Sequence, residues 1–373
     1  MGHGQGALED VVTDAAFWRG RRVFLTGHTG FKGSWLALWL SELGAEVTGF
    51  ALAPPTVPSL FELTRMEGRL RHVQGDVRDE AGLTLAIAAA RPEVVIHMAA
   101  QSLVRLSYDE PVATYATNVM GTVNLLEAVR HTPGVRAVVC VTSDKCYENR
   151  ETGQAYVEDD PMGGWDPYSS SKGCSELVVS AYRRSFFDPN QMDARRVAVA
   201  SVRAGNVIGG GDWAADRLVP DLMRGFAEGH RPRIRFPGAI RPWQHVLGPL
   251  SGYLLLAQRL VLGGPAVAEG WNFGPDAGDA RPVGWIADRL AALWGDGAGW
   301  DRAGGTQPHE AAFLQLDASK ARARLGWRPA WELDEALART VEWYRAFARG
   351  ADMQIVTLDQ LRAFERATHP AAV

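Results

Sequence analysis

A short apolar strand that runs directly into a glycine-rich turn and then into an apolar helix constrains the fold of this chain most. The strand is Arg22–Thr26, the glycines are Gly27, Gly30 and Gly33, and helix-compatible apolar spacing follows over residues 34–40. Glycines at these positions let backbone N–H groups approach a pyrophosphate, and the helix N-terminus then faces the anion. A glycine turn before a plain core helix is the alternative, but the strand-to-helix setting favours a dinucleotide site.

Apolar runs recur beyond this unit at the spacing of alternating strands and helices. Runs typical of buried strands span residues 46–52, 71–77, 93–101, 137–141 and 195–202, with helical patterns between them. We therefore expect an α/β fold: a Rossmann-type doubly wound parallel sheet with a smaller mixed α/β substrate-binding lobe toward the C-terminus.

The predicted domain boundaries follow from this division. Residues 1–16 form a flexible leader, and residues 351–373 form a C-terminal tail. The dinucleotide-binding Rossmann domain takes residues 17–205 with 243–273, and the substrate lobe takes 206–242 with 274–350.

Composition and charge exclude several classes of partner. The 373 residues, 46% of them hydrophobic, suffice for a sizeable core. Acidic and basic residues are intermixed and leave a formal net charge of -4, so neither nucleic acid nor a membrane is expected as a partner. No apolar stretch of about 18 residues and no signal-peptide pattern occurs, which predicts a cytoplasmic protein. Cys140, Cys146 and Cys174 lack metal-ligand or disulfide spacing, so we expect reduced thiols and no metal.

The candidate cofactor residues lie after the first four predicted strands. The second strand runs into Ala53, with neither an acid nor an arginine for the adenosine ribose, so the choice between NAD and NADP stays open and Lys32 suits either. Asp76 either accepts from the adenine amino group or caps the next helix. Asn118 either contacts the cofactor or is a satisfied core amide. The full set of candidates is Gly27, Thr29, Gly30, Phe31, Lys32, Gly33, Asp76, Val77, Ala99, Ala100, Gln101, Asn118, Tyr168 and Lys172.

Two sets of polar residues near the middle of the chain are candidates for catalysis. Tyr168 and Lys172, four residues apart, share one face of a helix, where an ammonium near a phenol favours the phenolate and makes a proton-transfer pair. This spacing alone is weak, because it also arises by chance on helix surfaces. Ser143, Asp144 and Lys145, here called the polar triplet, follow the C-terminal end of a parallel strand, where α/β sheets bind ligands.

The second half of the chain supplies candidate substrate ligands. An arginine guanidinium can bind a diphosphate through two hydrogen bonds, which makes Arg235 and Arg241 candidates. Arg217, which precedes a predicted helix, is a further candidate. Asn206 lies in a glycine-rich crossover between the two lobes. For the tryptophans of the C-terminal part, such as Trp327 and Trp331, we expect packing rather than base stacking.

From Gly27 through at least Trp343, the chain resembles the extended short-chain dehydrogenase/reductase superfamily. Within it, the chain is similar to the sugar-nucleotide 4,6-dehydratases that act on CDP-glucose. The resemblance is carried by Thr-Gly-His-Thr-Gly-Phe-Lys-Gly-Ser-Trp from Thr26, Pro-Thr-Val-Pro-Ser-Leu-Phe-Glu from Pro55 and Thr-Ser-Asp-Lys-Cys-Tyr-Glu-Asn from Thr142. It implies NAD as cofactor, CDP-glucose as substrate, Asn206 and Arg241 as substrate ligands, and a homodimer or homotetramer formed through the helices bearing Tyr168 and Asn118.

The resemblance also implies a mechanism. Tyr168, made more acidic by Lys172, takes the proton of the sugar 4-hydroxyl while carbon 4 gives hydride to NAD. Water is then lost across carbons 5 and 6, with Asp144 as acid, Lys145 as base and Ser143 bonded to the 4-oxygen, and hydride returns to carbon 6. These roles require a raised pKa at Asp144 and a lowered pKa at Lys145, whereas a close ion pair does the opposite, so Lys145 acting only as an electrostatic stabiliser of the enolate is the alternative.

Two other functions compete with this one. A sugar-nucleotide 4-epimerase or 2-epimerase of the same superfamily keeps Tyr168 and Lys172 but needs no acid and base at carbons 5 and 6, so the polar triplet favours dehydration. A non-catalytic NAD-binding protein predicts loss of Tyr168 or Lys172, and both are present.

Overall fold

The computed structural model describes residues 14–188, 197–304 and 311–368. Most of the predicted leader and the predicted strand start at residues 195 and 196 lie outside these ranges. The helices are Ala15–Trp18 (α1), Phe31–Glu42 (α2), Leu60–Leu63 (α3), Glu80–Ala90 (α4), Val104–Asp109 (α5), Pro111–Tyr115 (α6), Gly121–His131 (α7), Pro167–Ser185 (α8), Leu218–Ala227 (α9), Leu247–Gly263 (α10), Val283–Trp294 (α11), Ser319–Leu325 (α12), Leu333–Ala348 (α13) and Met353–Thr368 (α14). The strands are Arg22–Thr26 (β1), Glu46–Ala51 (β2), Arg71–Gln74 (β3), Val94–His97 (β4), Ala137–Val141 (β5), Ala198–Ala204 (β6), Asn206–Ile208 (β7), Arg233–Ile234 (β8), Ile240–His245 (β9), Gly270–Phe273 (β10), Ala280–Pro282 (β11) and Asp301–Arg302 (β12).

A seven-stranded parallel sheet organises the first domain, in the order β10-β6-β5-β4-β1-β2-β3. Successive side chains of β1 point to opposite faces. Val23 and Leu25 pack with α2 and α10, whereas Phe24 packs with α4 and α7. Because both faces are covered, the central strands β4 and β5 are largely apolar and buried, whereas the edge strand β3 is polar and partly exposed. The predicted doubly wound Rossmann-type fold is confirmed.

The longest apolar helix belongs to this core. Leu247–Val267 has the length and composition of a membrane-crossing helix, but 61% of its most apolar window is buried inside the fold. Tyr253, Leu254 and Leu256 are fully buried, and the helix packs on β5 and β6. Its apolar character follows from its position on the central strands.

The smaller lobe begins where β6 leaves the main sheet. β7 follows β6 after Gly205 alone and joins a three-stranded sheet in the order β11-β9-β7, while β8 and β12 form a separate parallel pair. The tryptophans Trp294, Trp327 and Trp331 are 7%, 2% and 8% exposed and pack in the core, which confirms the packing expected of them.

The segment predicted as a C-terminal tail contains a packed helix. In α14, Phe364 is fully buried and makes edge contacts with Trp39 and Trp331. The Nε1 of Trp39 donates to Glu365 Oε1 at 2.8 Å. Helix α1 likewise begins at Ala15, within the last residues of the predicted leader, and its Phe17 and Trp18 are buried.

Candidate active site

One cleft of about 1470 Å³ runs along the C-terminal ends of the parallel strands and continues into the smaller lobe. It is lined by every predicted catalytic residue and every predicted substrate ligand, and by all of the predicted cofactor residues except Asn118. The topology explains this convergence, because parallel strands bring all their C-terminal ends to one edge of the sheet.

The glycine turn forms the floor of the cleft and has room only for glycine at two positions. Gly27 adopts a φ of +74°, and a Cβ there would lie 2.7 Å from Ala99 N. A Cβ on Gly33, in the first turn of α2, would lie 2.1 Å from Gly27 O. The turn therefore holds backbone N–H groups and the N-terminus of α2 toward the cleft, an arrangement that fits a dinucleotide pyrophosphate.

Gly33→Ala should destabilise the protein by about 1–3 kcal/mol, because the new methyl group meets only backbone atoms of the turn, which must shift. Thermal unfolding measures the effect. Gly30→Ala is the matched control: its Cβ would find its nearest neighbour at 3.5 Å and its φ is −80°, so we expect a much smaller loss of stability. Equal losses in the two variants would contradict the close-approach argument.

Beyond the end of β3, the cleft contains an ion pair that the sequence did not predict. Arg78 donates from Nε and Nη2 to the Asp76 carboxylate, and these bonds hold the pKa of Asp76 below its usual range. Asp76 is not the cap of α4, because Asp79 takes that position and accepts from Gly82 N. The third strand ends at Gln74 rather than at Val77, since the chain turns after Gly75.

Asn118 lies behind the cleft and not on its surface. Its Oδ1 accepts from Gln101 N at 2.9 Å, and its Nδ2 donates to Gln101 O and to Ser171 Oγ at 3.0 and 2.8 Å. The side chain is 2% exposed. The geometry agrees with a satisfied core amide that supports Gln101 and α8.

Lys32 extends from the glycine turn toward the catalytic end of the cleft. Its Nζ donates to Tyr253 OH at 3.1 Å. Burial, together with the nearby charges of Lys172 and Arg217, lowers the pKa of Lys32 to about 7 against the opposing influence of Asp144. These neighbours place the ammonium near the proposed reaction centre.

The polar triplet forms a short helical turn directly after β5. Ser143 Oγ donates to Asp144 Oδ1 at 3.0 Å and accepts from Lys145 N at 3.2 Å. Asp144 is 2% exposed, and none of the described residues forms a hydrogen bond with its Oδ2. Burial raises the pKa of Asp144, although Lys145, Ser143 and Arg241 act in the opposite direction. Desolvation outweighs the neighbouring cations, which favours a protonated carboxyl.

Tyr168 lies in the first turn of α8, which Asp166 caps and Pro167 begins. The pKa of Tyr168 is raised to about 12, chiefly by burial and also by the charge of Asp144, against the lowering influence of a hydrogen bond with Ser143 and of the charge of Arg217. That Lys172 makes Tyr168 more acidic stays a prediction, and no hydrogen bond joins the two side chains among the described residues. The Nζ of Lys172 donates instead to Val141 O at 3.3 Å, and burial lowers its pKa to about 8.

The predicted substrate ligands line the lobe side of the cleft. Arg241 is 6% exposed and donates to Ala311 O, and Arg235 reaches Asp216 at 3.4 Å. Asn206 begins β7. Arg217 donates to Asp212 Oδ2 and, across the cleft, to Ser102 Oγ, at 2.9 and 2.7 Å.

Ser102 and Arg105 of the first domain, which hydrogen-bond across the cleft, were not predicted from the sequence. Arg105 Nη1 donates to Asp216 Oδ1 at 2.8 Å, next to the contact between Ser102 and Arg217. Both bridging residues follow the Ala-Ala-Gln segment after β4. Their position just beyond a strand end was the signal available to find them.

Comparison with known proteins gives consistent matches. The profile of the GDP-mannose 4,6 dehydratase family matches residues 24–199. The chain is 56% identical over 357 residues to the CDP-glucose 4,6-dehydratase of Salmonella typhimurium, covering 96% of this chain and 99% of the relative.

Solved structures agree with these matches. The dTDP-glucose 4,6-dehydratase of Streptomyces venezuelae, with NAD bound, has a TM-score of 0.72 at 25% identity and covers 89% of this chain and 99% of its own. The UDP-glucose 4-epimerase of Thermus thermophilus, in complex with NAD, has a TM-score of 0.74 at 25% identity and covers 87% and 99%.

Proposed function

Since this chain belongs to the sugar-nucleotide 4,6-dehydratase family of the short-chain dehydrogenase/reductase superfamily, we propose that it converts CDP-glucose to CDP-4-keto-6-deoxyglucose with NAD as cofactor. The observation that carries the proposal is the meeting of Tyr168 with the polar triplet in a single cleft that begins at the dinucleotide turn. Identity of 56% over nearly the whole chain supports CDP-glucose as the substrate.

The residues of the cleft fit NAD. The turn at Gly27, Gly30 and Gly33 suits its pyrophosphate, and Asp76 and Tyr168 line the same cleft as this turn. When bound, NAD would accept hydride from carbon 4 of the sugar and return it to carbon 6. Because residue 53 is alanine and not an acid, other residues of the cleft would bind the adenosine ribose.

In the oxidation step, we assign the base to Tyr168. Its phenolate removes the proton of the 4-hydroxyl, and Ser143, which is hydrogen-bonded to Tyr168, holds the 4-oxygen. Arg217 supplies a positive charge that favours the phenolate. Lys172 acts through its bond to Val141 O, which fixes α8 against the end of β5.

In the elimination step, we assign the acid to Asp144 and the base to Lys145. A buried carboxyl with a raised pKa and one unpartnered oxygen is equipped to protonate the departing 6-hydroxyl. Lys145, which lines the same cleft, removes the proton from carbon 5, which the 4-ketone has made acidic. Arg235, Arg241 and Asn206 hold the nucleotide diphosphate from the lobe side.

Parallel incubation with CDP-, dTDP-, GDP- and UDP-glucose tests this function. We expect a 4-keto-6-deoxy product, detected by mass spectrometry as the loss of one water, and the highest kcat/KM with CDP-glucose. An isomer of unchanged mass would instead identify an epimerase. Turnover of none of the four would contradict enzymatic function on these substrates.

The two proton-transfer steps should respond to pH in opposite directions. The phenolate fraction of Tyr168 grows about tenfold per pH unit below its pKa, so the rate of nicotinamide reduction should rise between about pH 6 and pH 9. Asp144 must be protonated to act as an acid, so elimination should slow as the pH rises through its raised pKa, and reduced nicotinamide should then accumulate. Single-turnover absorbance follows both steps, and a pH-independent oxidation rate would contradict the role of Tyr168.

We also propose a cytoplasmic homodimer or homotetramer assembled through the helices that carry Tyr168 and Asn118. Val112, Met120 and Leu177 are 81%, 51% and 61% exposed on neighbouring helical segments, which supports an interface there. The free thiols of Cys140, Cys146 and Cys174 support a reducing compartment.

A further inference from the structure

A buried ion pair joins α8, which carries Tyr168 and Lys172, to β6, the neighbour of the strand that precedes the polar triplet. Glu176 lies one helical turn beyond Lys172 on α8, Arg203 lies on β6, and their side chains are 4% and 6% exposed. Arg203 donates from Nε and Nη2 to the two carboxylate oxygens of Glu176, at 2.9 and 2.8 Å. Burial alone would raise the pKa of Glu176, but Arg203 and the hydroxyls of Ser201 and Thr142 lower it, so the carboxylate is ionised.

The same ion pair holds the chain on both sides of the polar triplet. Thr142, immediately before the triplet, donates its hydroxyl to Glu176. Tyr147, two residues after it, accepts from Arg203 Nη1 and donates to Asn272 Oδ1, both at 2.7 Å. The ring of Tyr147 is 1% exposed and stacks on Tyr156 at 5.1 Å. The polar triplet is therefore flanked by two residues, Thr142 before it and Tyr147 after it, that both hydrogen-bond to the same ion pair.

Tyr168 is held by a separate set of contacts. Its backbone N–H donates to Ser107 Oγ at 3.1 Å, and its carbonyl oxygen accepts from Ser171 Oγ at 2.7 Å. Asn118 Nδ2 donates in turn to Ser171 Oγ at 2.8 Å. None of these bonds involves Arg203 or Glu176. Apart from the hydrogen bond between Tyr168 and Ser143, the oxidising base and the eliminating acid and base are thus held by different contacts.

Stability alone is a weak reason for burying such charges. Desolvation of a buried ion pair offsets much of its Coulombic attraction, and apolar residues of similar volume often serve stability as well. What an ion pair with bidentate geometry adds is a fixed direction and distance between the segments it joins. In catalysis, displacement of a reacting group by about 1 Å lowers rates by about a hundredfold.

We propose that Glu176, Arg203 and Tyr147 are positioning residues that hold Asp144 and Lys145 for the loss of water, so that loss of this network slows elimination more than it slows oxidation by Tyr168. This inference rests on the proposed dehydratase function. It assigns a kinetic role to Glu176 and Arg203, which lie behind the lining of the cleft, and to the hydroxyl of Tyr147.

Tyr147→Phe tests the inference, because it keeps the stacked ring and removes only the hydroxyl that links Arg203 to Asn272. We expect kcat for CDP-glucose to fall by about tenfold or more, KM to stay unchanged, and reduced nicotinamide to accumulate during turnover. Uptake of solvent deuterium at carbon 5 should slow by the same factor. Single-turnover absorbance and mass spectrometry of the product supply the readouts.

Two matched variants separate positioning from general damage. Ser171→Ala removes a bond of the Tyr168 set, and it should slow oxidation without accumulation of reduced nicotinamide. Tyr182→Phe removes a hydroxyl from the outer end of α8, where it contacts Glu127 at 3.4 Å, and it should leave both steps unchanged. Thr142→Val removes the second anchor and provides the same test should Tyr147→Phe fail to fold.

Wild-type turnover of CDP-glucose is measured first. Its absence would overturn the proposed function, and the inference with it. Wild-type turnover together with a folded Tyr147→Phe or Thr142→Val variant that keeps its elimination rate, or loses oxidation and elimination equally, would overturn the inference alone.

Discussion

Tyr168→Phe should lower kcat for CDP-glucose dehydration by about 10²–10⁴-fold, because the phenolic oxygen is the proposed base of the first step. The rest of the ring is 8% exposed and would keep its packing, so KM and thermal stability should change little. Mixing enzyme, NAD and substrate should then produce no burst of reduced nicotinamide. Stopped-flow absorbance measures the burst, and steady-state product formation measures kcat.

Tyr182→Phe on the same helix is the control for the loss of a tyrosine hydroxyl, since Tyr182 lies far along α8 and contacts Glu127. It should retain wild-type rates. A Tyr168→Phe variant that reduces nicotinamide at the wild-type rate would show that another group removes the proton. Lys32, whose pKa is lowered to about 7 at the same end of the cleft, would then be the next base to replace.

Lys145→Ala should preserve reduction of nicotinamide and lower the rate of carbon 5 proton exchange by about 10²–10⁴-fold. The oxidation step needs Tyr168 and Ser143, whereas removal of the carbon 5 proton needs the amine of Lys145. Reduced nicotinamide should therefore accumulate to about one equivalent per bound NAD. Incubation in deuterium oxide, followed by mass spectrometry of the product, measures the exchange.

Lys145→Arg distinguishes a base from an electrostatic stabiliser. A guanidinium remains charged near neutral pH, so it can stabilise an enolate but cannot remove a proton. We expect Lys145→Arg to exchange as slowly as Lys145→Ala. Exchange near the wild-type rate in the arginine variant would assign to Lys145 only the stabilisation of negative charge, and normal exchange in Lys145→Ala would remove Lys145 from the mechanism.

Much of the fold could be predicted from local sequence patterns, because the tertiary contacts do not alter the structures that these patterns favour. The strand Arg22–Thr26 was predicted with its observed bounds, because its middle residues form a buried apolar run directly before the glycine turn. The glycine turn was identified for a similar reason. A Cβ at Gly27 or Gly33 would meet backbone atoms, so the presence of glycine itself indicates that no side chain fits at these positions.

The segments predicted least well were those whose role depends on distant partners. The predicted C-terminal tail contains α14, whose burial depends on Trp39 and Trp331, which are remote in sequence. Arg105 and Asp216 meet across the cleft although 111 positions separate them. No local pattern records such a contact, because the two residues have no periodic relation to each other.

The sequence by itself determined which chemical groups this protein has at the end of its parallel strands: a glycine turn, a tyrosine and lysine one helical turn apart, and the polar triplet. Only the tertiary structure decided their protonation and support. Burial raises the pKa of Tyr168 and of Asp144, and the Nζ of Lys172 donates to Val141 O. The physical reason is that residue order sets spacing along a strand or helix, whereas desolvation and charge depend on everything that folds around a group.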